Sequence, residues 1–473
     1  MISSRLSPNR IKQILLIFFF IGSLCFLTFF YLLNPRIGKM FIFSLVFIVT
    51  FILVAKYHHE QLTIILVSCL IVLILAVLLL EDFNWNNVVD HYIEWEVLAV
   101  VFGMTLLVET ISDTGLFDWL IIRILKISKG EVFPLFVLTF ILTMLLSSVL
   151  ANVTAMILVG SMIITTCKGL DYDPAPFLLG AVLATDLAGM ATVVSSLPAI
   201  LVGAKAEIGF IDFLIVSSPF VILSLPICIF YLKKFFPPEK IPLKEESSID
   251  TQMILSLDPW VVVDDITKFR LGFVSLVITI FGFVLAQPMN IPIGVVAISG
   301  GIIAIVLTRP DEHELIIKLN WSALLLFAGL FILVGILEET EVLIDIAHWL
   351  KELSGGDLFL SGFLILTITG FFSGLLDNIP VTAALIPVIE DMNTEYVDTN
   401  PRYLWFILVF SGALGGGWTP FGSAAGILAV SFLANKRHSL EFKTFILCLL
   451  PISFVLLIFS GIYLSILALL GLI

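Results

Sequence analysis

The sequence predicts an all-α polytopic membrane protein made of two inverted-topology repeats with broken helices, about 11 spanning segments in all. Three observations predict it. Apolar runs of about 18 or more residues recur along the chain, each long enough to cross a roughly 30 Å hydrocarbon core. Residues of the first half return in the second at one fixed spacing, including two places where an apolar run breaks. The links that flank matching runs carry opposite charge in the two halves.

Composition narrows the class further. Of 473 residues, 60% are hydrophobic and only 13% charged, and the mean hydropathy is +1.14, which no soluble globular chain approaches. The apolar runs are continuous rather than alternating, so they are not barrel strands. A net charge of −13 disfavours a nucleic-acid partner. The five cysteines (Cys25, Cys69, Cys167, Cys228, Cys448) have no CxxC spacing and read as small buried hydrophobes. The histidines form no HExxH, and the core runs hold no nucleophile–base or metal set, so neither an enzyme nor a cofactor is expected.

Residues 1–40 read as an N-terminal extra transmembrane helix. Arg5, Arg10 and Lys12 precede the apolar run 14–33, which is too long for a signal peptide and places the N-terminus in the cytoplasm. The first repeat covers 41–232. Runs 41–55 and 61–80 pair antiparallel, and an acidic link (81–96) leads to helix 97–112, then to a link basic at Arg123, Lys126 and Lys129. The run from Phe133 breaks at Ala151-Asn152-Val153-Thr154, and the run from Pro176 breaks between Gly189 and Pro198. Helix 212–232 closes this half. The Lys-rich polar stretch 233–269 is the cytoplasmic linker, and 270–473 is the second repeat.

The repeat is visible residue by residue. Trp95 and Trp321 are 226 positions apart (321 − 95), as are Gly103 and Gly329, Ser147 and Ser373, Leu150 and Leu376, and Asn152 and Asn378. Gly189 and Thr192 meet Gly416 and Thr419 at an offset of 227. The link after 97–112 is basic, while its counterpart carries Glu338, Glu339, Glu341 and Asp345. Since Lys and Arg prefer the cytoplasm, equivalent segments point in opposite directions. Broken helices at matching places of inverted halves are the sequence pointer to a transporter's midplane site.

The strongest of these breaks is Ser373-Gly-Leu-Leu-Asp-Asn-Ile-Pro-Val-Thr-Ala-Ala384, between two apolar runs. Asp377 and Asn378 thus sit near membrane depth, where a carboxylate costs several kcal/mol unless it faces a cavity, an ion or a partner. No Lys or Arg occurs in 132–166, 172–204 or 359–391, so a cation, a proton or helix N–H groups must answer the charge. Asn378 followed by Pro380 reads as a helix start, with the Asn side chain as its cap. Asp186, just before Gly189, is the other acid at depth, either an ion ligand or a helix-end carboxylate facing water. The hydroxyls of Thr192, Ser195, Ser196, Thr419 and Ser423 are weak signals singly, because such groups often bond their own helix. Clustering in two matched loops strengthens them. Glu109, Asp113, Glu338 and Glu339 fall near helix ends and read as interfacial.

The stretch Leu376-Asp-Asn-Ile-Pro-Val-Thr-Ala-Ala-Leu-Ile-Pro387 resembles the second-repeat signature of the ion transporter superfamily. Its nearest branch holds arsenite permeases, sodium/proton antiporters and the pink-eyed-dilution protein, grouped with citrate-transporter-like permeases and dicarboxylate/sodium symporters. Gly415-Gly-Gly-Trp-Thr-Pro-Phe-Gly-Ser423 is similar to that branch's Gly/Thr/Ser loop. The resemblance spans roughly residues 41–470 and implies a re-entrant hairpin in each half, its tip carrying the Asn motif, followed by a helix unwound at the loop. Hairpin tip and loop would together bind cation and substrate. Asn152 and Thr154 would work with Thr192, Ser195 and Ser196. Asp377, Asn378 and Thr382 would work with Thr419, Gly422 and Ser423. The Na+ candidates are Asn152, Asp377 and Asn378. The chain departs from the branch at Ala151, where Asp is usual, at Ser195-Ser-Leu-Pro-Ala199 and at Gly426. A weakened or lost first cation site is therefore expected.

The function these features predict is secondary transport of a small anion, a carboxylate or inorganic oxyanion, by alternating access with Na+ or H+ as coupling ion. A Na+/H+ antiporter in which Asp377 and Asp186 alternate between proton and sodium is the rival; a channel or membrane-embedded enzyme ranks below both. The expected partners are a small-molecule or ion substrate and the lipid bilayer. The expected location is the cell (plasma) membrane, and analogy with related transporters implies a homodimer.

Overall fold

The computed structural model describes residues 34–57, 60–81, 83–150, 152–241, 258–394, 402–434 and 442–473. The expected helix over 14–33 and residues 242–257 of the expected linker lie outside the described residues. Apart from short helical turns, the described residues fold into two successive series of nine helices. The first is α1 (Pro35–Lys56), α2 (Gln61–Leu79), α3 (Trp95–Ser112), α4 (Leu116–Ser128), α5 (Val132–Ser147), α6 (Asn152–Leu170), α7 (Ala175–Ala188), α8 (Leu197–Lys205) and α9 (Phe210–Phe235). The second is α10 (Ile266–Ala286), α11 (Ile293–Thr308), α12 (Trp321–Glu339), α13 (Val342–Ser354), α14 (Leu358–Leu375), α15 (Asn378–Asn393), α16 (Tyr403–Gly416), α17 (Ala424–Ala434) and α18 (Phe442–Leu469).

Helices nine places apart correspond. Trp95 and Trp321 open α3 and α12, and Asn152 and Asn378 open α6 and α15. Equivalent helices have equal or similar length: 13 residues for α4 and for α13, and 14 for α7 and for α16. Nine helices among the described residues are long and apolar enough to cross a membrane. Helices α5, α7, α11, α16 and α17 are apolar but shorter, and all but α11 adjoin one of the interruptions.

Local chemistry sets the interruptions. Ser196 is extended and its hydroxyl accepts from Ala199 N at the start of α8, with Pro198 in the first turn. Asp377 is extended and accepts from Ile379 N at the start of α15, with Pro380 close behind. Helices α7 and α16 differ from the rest in burial. Every residue from Pro176 to Ala188 and from Tyr403 to Gly416 is buried, whereas Leu66, Leu70 and Leu78 of α2 and Ile215, Ile222 and Phe230 of α9 are exposed. A helix apolar all round and enclosed on all sides is a core element, and both such helices end at a loop of the candidate site.

The chain divides into two compact units that cut across the two series. The first holds the described residues up to Ile93 together with Ala328–Ile346. In it α1 packs on α2. Gly329 faces Ile65, where a Cβ would stand 2.9 Å from Cγ2, and Gly335 lies against the Tyr92 ring. The Tyr92 hydroxyl donates to Glu339 Oε1 at 2.9 Å, and Arg36 pairs with Glu341 at 2.9 Å.

The second unit holds Glu94–Phe327 and Ala347–Ile473. Its tightest contact is between α3 and α11. A Cβ on Gly103 would stand 2.3 Å from the Ala297 carbonyl carbon and the Ile298 nitrogen, so only glycine allows this approach. Helix α8 packs on α15, and α17 packs on α6. Each half's second broken piece thus lies on the other half's hairpin. Phe213 of α9 meets Phe406 of α16 edge-on at 5.3 Å, and Phe220 meets Phe410 at 5.2 Å. Cys69, Cys167, Cys228 and Cys448 are buried and free; Cys25 lies outside the described residues.

Candidate ion- and substrate-binding site

All twelve residues singled out in the sequence fall in the second unit. In the first half, α5 ends at Ser147 and α6 begins at Asn152, and the two helices pack on each other. The Ser147 hydroxyl donates to Asn152 Oδ1 at 2.6 Å. Thr192, in the loop after α7, donates to Ser148 O at 2.6 Å. Asn152 lies against the start of that loop, where a Cβ on Gly189 would stand 3.0 Å from its Nδ2. Ser195 donates to Thr192 O at 2.6 Å, and Ser196 donates to Gly189 O while capping α8. Thr154 is half-buried on the first turn of α6.

The second half repeats the plan. Thr419 donates to Gly374 O at 2.7 Å, at the position equivalent to the Thr192–Ser148 bond. Asn378 N donates to Gly422 O at 3.2 Å, and a Cβ on Gly416 would stand 3.5 Å from Asn378 Nδ2. Gly422 is enclosed by backbone, with a Cβ there only 2.6 Å from Gly416 O and 2.7 Å from Ser373 O. Ser423 accepts from Gly426 N at 3.4 Å. The hydroxyl of Thr382 goes to Asn378 O in its own helix at 2.8 Å. In each half, then, an asparagine at a hairpin tip faces the glycine where the next helix ends, and a threonine ties that loop back to the hairpin.

One expectation is corrected. The cap of α15 is Asp377, not Asn378. The chain leaves α14 through Leu376, and Asp377 takes the extended geometry of a cap (φ −122, ψ 148) with its carboxylate accepting from Ile379 N at 3.2 Å. Asn378 is already helical. Its backbone N–H goes across to Gly422 O and its side chain is left to face the loop. Asp377 therefore has the helix N-terminus as a partner, one of the three answers to its charge that the sequence leaves open.

Asp186 has no such help. It sits in α7 at 1% exposure. Ser423 lies beside its carboxyl group, but no hydrogen bond of ordinary length and angle reaches either oxygen among the described residues. It is not a helix-end carboxylate facing water. Across from it are Gly417 and, on α18, Ser453, a residue that gave no signal in the sequence because it is one serine in a long apolar helix.

The charges that are paired lie at helix ends. Lys205 pairs with Glu94 at 3.3 Å, Arg402 with Asp212 at 2.9 Å, Lys351 with Asp391 at 3.0 Å and Lys318 with Asp113 at 2.8 Å. Among the described residues, no Lys or Arg is paired with Asp186 or Asp377. A mostly apolar cleft of about 580 Å³ lies between α9 and α18, lined by Pro226, Ile227 and Phe230 on one side and Pro451, Ile452 and Val455 on the other.

Comparison with known proteins agrees with this architecture. The family model described as "Citrate transporter" matches residues 45–409. The "46 kDa membrane protein" of Mycobacterium leprae is 27% identical over 89% of this chain and 96% of its own length. An uncharacterized transporter of Mycobacterium bovis is 27% identical over 85% of this chain and 92% of its own. The P protein of Homo sapiens is 24% identical over 75% of this chain and 52% of its own. Among solved structures, the YdaH transporter of Alcanivorax borkumensis superimposes with a TM-score of 0.55 over 82% of this chain and 87% of that one, at 14% identity, a likeness of fold. With two broken helices, two hairpins and a family model covering most of its length, the chain belongs to the citrate transporter family and is a multi-pass membrane transporter.

Proposed function

We propose that the protein is a secondary active transporter that moves a small anion, a carboxylate or inorganic oxyanion, by alternating access coupled to Na+ or H+. The observation that carries this reading is the duplicated tie of hairpin to loop: Asn152 against Gly189 with Thr192 on Ser148 O, and Asn378 against Gly416 with Thr419 on Gly374 O. Helices α6, α8, α15 and α17 all begin at these hairpins and loops. Their N-termini supply the positive ends that favour an anion where the sequence offers no Lys or Arg. The oxygens of Asn152, Asp377 and Asn378 suit a hard cation. Thr154, Thr192, Ser195, Ser196, Thr382, Thr419, Gly422 and Ser423 would shape the two half-sites. In the same reading the protein resides in the cell membrane as a homodimer, its N-terminus cytoplasmic and its halves inverted about the membrane plane.

A Na+/H+ antiporter is the second reading, favoured by one observation: neither Asp186 nor Asp377 is paired with a basic group among the described residues. Reconstituted vesicles separate the two. Na+-stimulated uptake of a radiolabelled organic acid or oxyanion supports the symporter. A Na+-driven pH change with no anion present supports the antiporter. Absence of both fluxes from active, oriented vesicles rules out coupled transport by this site.

A further inference from the structure

The two carboxylates at membrane depth occupy exchanged places in the two halves. Asp377 at the second hairpin corresponds to Ala151 at the first, and Asp186 in α7 corresponds to Ala413 in α16. Asp186 is therefore not a degraded copy of Asp377. It belongs to a different part of the repeat and has different neighbours.

Those neighbours form a set of unspent oxygens. Asp186 and Ser453 are each 1% exposed. Among the described residues, no hydrogen bond of ordinary length and angle reaches either Asp186 oxygen, with the Ser423 hydroxyl lying beside the carboxyl group, and the Ser453 hydroxyl has no partner. A serine inside a helix ordinarily gives its hydroxyl to a carbonyl one turn back, as Ser411 does to Ile407 O and Ser460 to Leu457 O; Ser453 does not. A lone buried carboxylate costs several kcal/mol, and a lone hydroxyl adds to that.

Gly417 lies between them. A Cβ there would stand 2.7 Å from Asp186 Oδ2 and 3.0 Å from Ser453 Oγ. Its backbone angles (φ −76, ψ −5) are ones any residue adopts. The need for glycine at 417 is therefore spatial: any larger residue fills the place on which both oxygens converge.

From this geometry we infer that Asp186, Ser453 and the backbone at Gly417 form a Na+ site of their own, next to the loop that Asn378 faces and additional to any ion held by Asp377. One carboxylate, one hydroxyl and the peptide groups where α16 ends are hard oxygen donors, and a single negative charge matches a monovalent ion. The ion would join the broken helix of the first half to the loop and last helix of the second. Its role in coupling rests on the transporter reading; its binding does not.

The test is equilibrium binding of radioactive Na+ to the purified full-length protein in detergent, with choline balancing ionic strength. Wild type should bind two Na+ per chain. Gly417→Ala and Ser453→Ala should each weaken one of the two by about tenfold or more, leaving the other, which Asp377→Asn removes. Ser453→Ala deletes one atom and carries the test should Gly417→Ala fail to fold. Unchanged binding in Ser453→Ala and Gly417→Ala overturns the inference, as does a wild type that binds no Na+ or binds one that Asp377→Asn abolishes. Vesicle flux separates the two ideas: a Gly417-sensitive site without Na+-linked flux leaves the site standing and the coupling reading refuted. Na+-linked flux with Gly417→Ala binding intact does the reverse.

Discussion

Thr419→Val removes the hydroxyl that ties the second loop to its hairpin. Valine keeps the shape of threonine and loses only that hydroxyl, which donates to Gly374 O at 2.7 Å and accepts from Phe421 N, within the loop itself, at 3.2 Å. A neutral hydrogen bond is worth about 0.5–1.5 kcal/mol net, and an acceptor left unpaired in a buried place costs about 1–3 kcal/mol. A loss of about 1–2 kcal/mol is a factor of about 5–30 in an equilibrium. That loss should fall on closure of the loop over the hairpin rather than on the fold. The packing of α14 on α16, where Gly415 meets the Gly370 backbone, does not involve the hydroxyl. The expected result is a rise of about 5–30-fold in the Na+ or H+ concentration for half-maximal flux in proteoliposomes, with the unfolding midpoint little changed. Thr192→Val, which removes the 2.6 Å bond to Ser148 O, should act in the same direction, and the two losses should add if the half-sites are independent. A half-maximal concentration within twofold of wild type in Thr419→Val would refute the claim that this bond closes the site.

Asp377→Asn should abolish coupled flux yet leave thermal unfolding nearly unchanged, because Asn caps a helix about as well as Asp and can still accept from Ile379 N; persistent coupling would remove Asp377 from the site. Gly103→Ala should lower stability by about 1–3 kcal/mol, since its Cβ would meet the Ala297–Ile298 backbone, and an unaltered unfolding midpoint would contradict the close approach of α3 to α11. The hydrogen bond from Lys318 to Asp113 raises the lysine above its ordinary value. The stability it contributes is thus complete at neutral pH and is lost only as pH climbs through that raised value. Because the pair is more than a third exposed, Lys318→Met should cost less than about 1 kcal/mol at pH 7, checked by chemical unfolding at neutral and alkaline pH.

What could be read from the chain was what local chemistry and repetition determine. The offset linking Trp95 to Trp321 and Asn152 to Asn378 marks the first residues of equivalent helices, and at α15 that start is set locally, by the Asp377 cap and Pro380. The cap itself was misplaced by one position. Asp and Asn are nearly equal as caps, and what decides between Asp377 and Asn378 is Gly422 O, a distant acceptor that claims the Asn378 N–H. Burial was illegible for a related reason. Helices α7 and α16 are enclosed by protein, while α2 and α9 present leucine, isoleucine and phenylalanine outward. Lipid and protein interior are equally apolar, so hydropathy does not distinguish them. Ser453 could not be singled out either, since only its missing intrahelical bond sets it apart from Ser411 and Ser460.

Packing across the repeat explains why the compact units ignore the boundary between the halves. Helix α3 of the first half lies on α10 and α11 of the second, and Gly329 of α12 meets Ile65 of α2 in return. Within the second unit the exchange continues, α8 on α15 and α17 on α6. Neither half can bury its apolar surface without the other, so a single half expressed alone should not fold. For transport the second exchange matters most. Each half-site is made by one half's own hairpin and loop, but the helix that continues from each loop is held by the opposite hairpin. Each hairpin therefore touches the helix that leaves the other half's loop, and a Thr192→Val, Thr419→Val double variant whose losses fail to add would show that the two half-sites are coupled through it. Asp186, in α7 and facing Gly417 and Ser453 of the opposite half, places a charge on this shared seam.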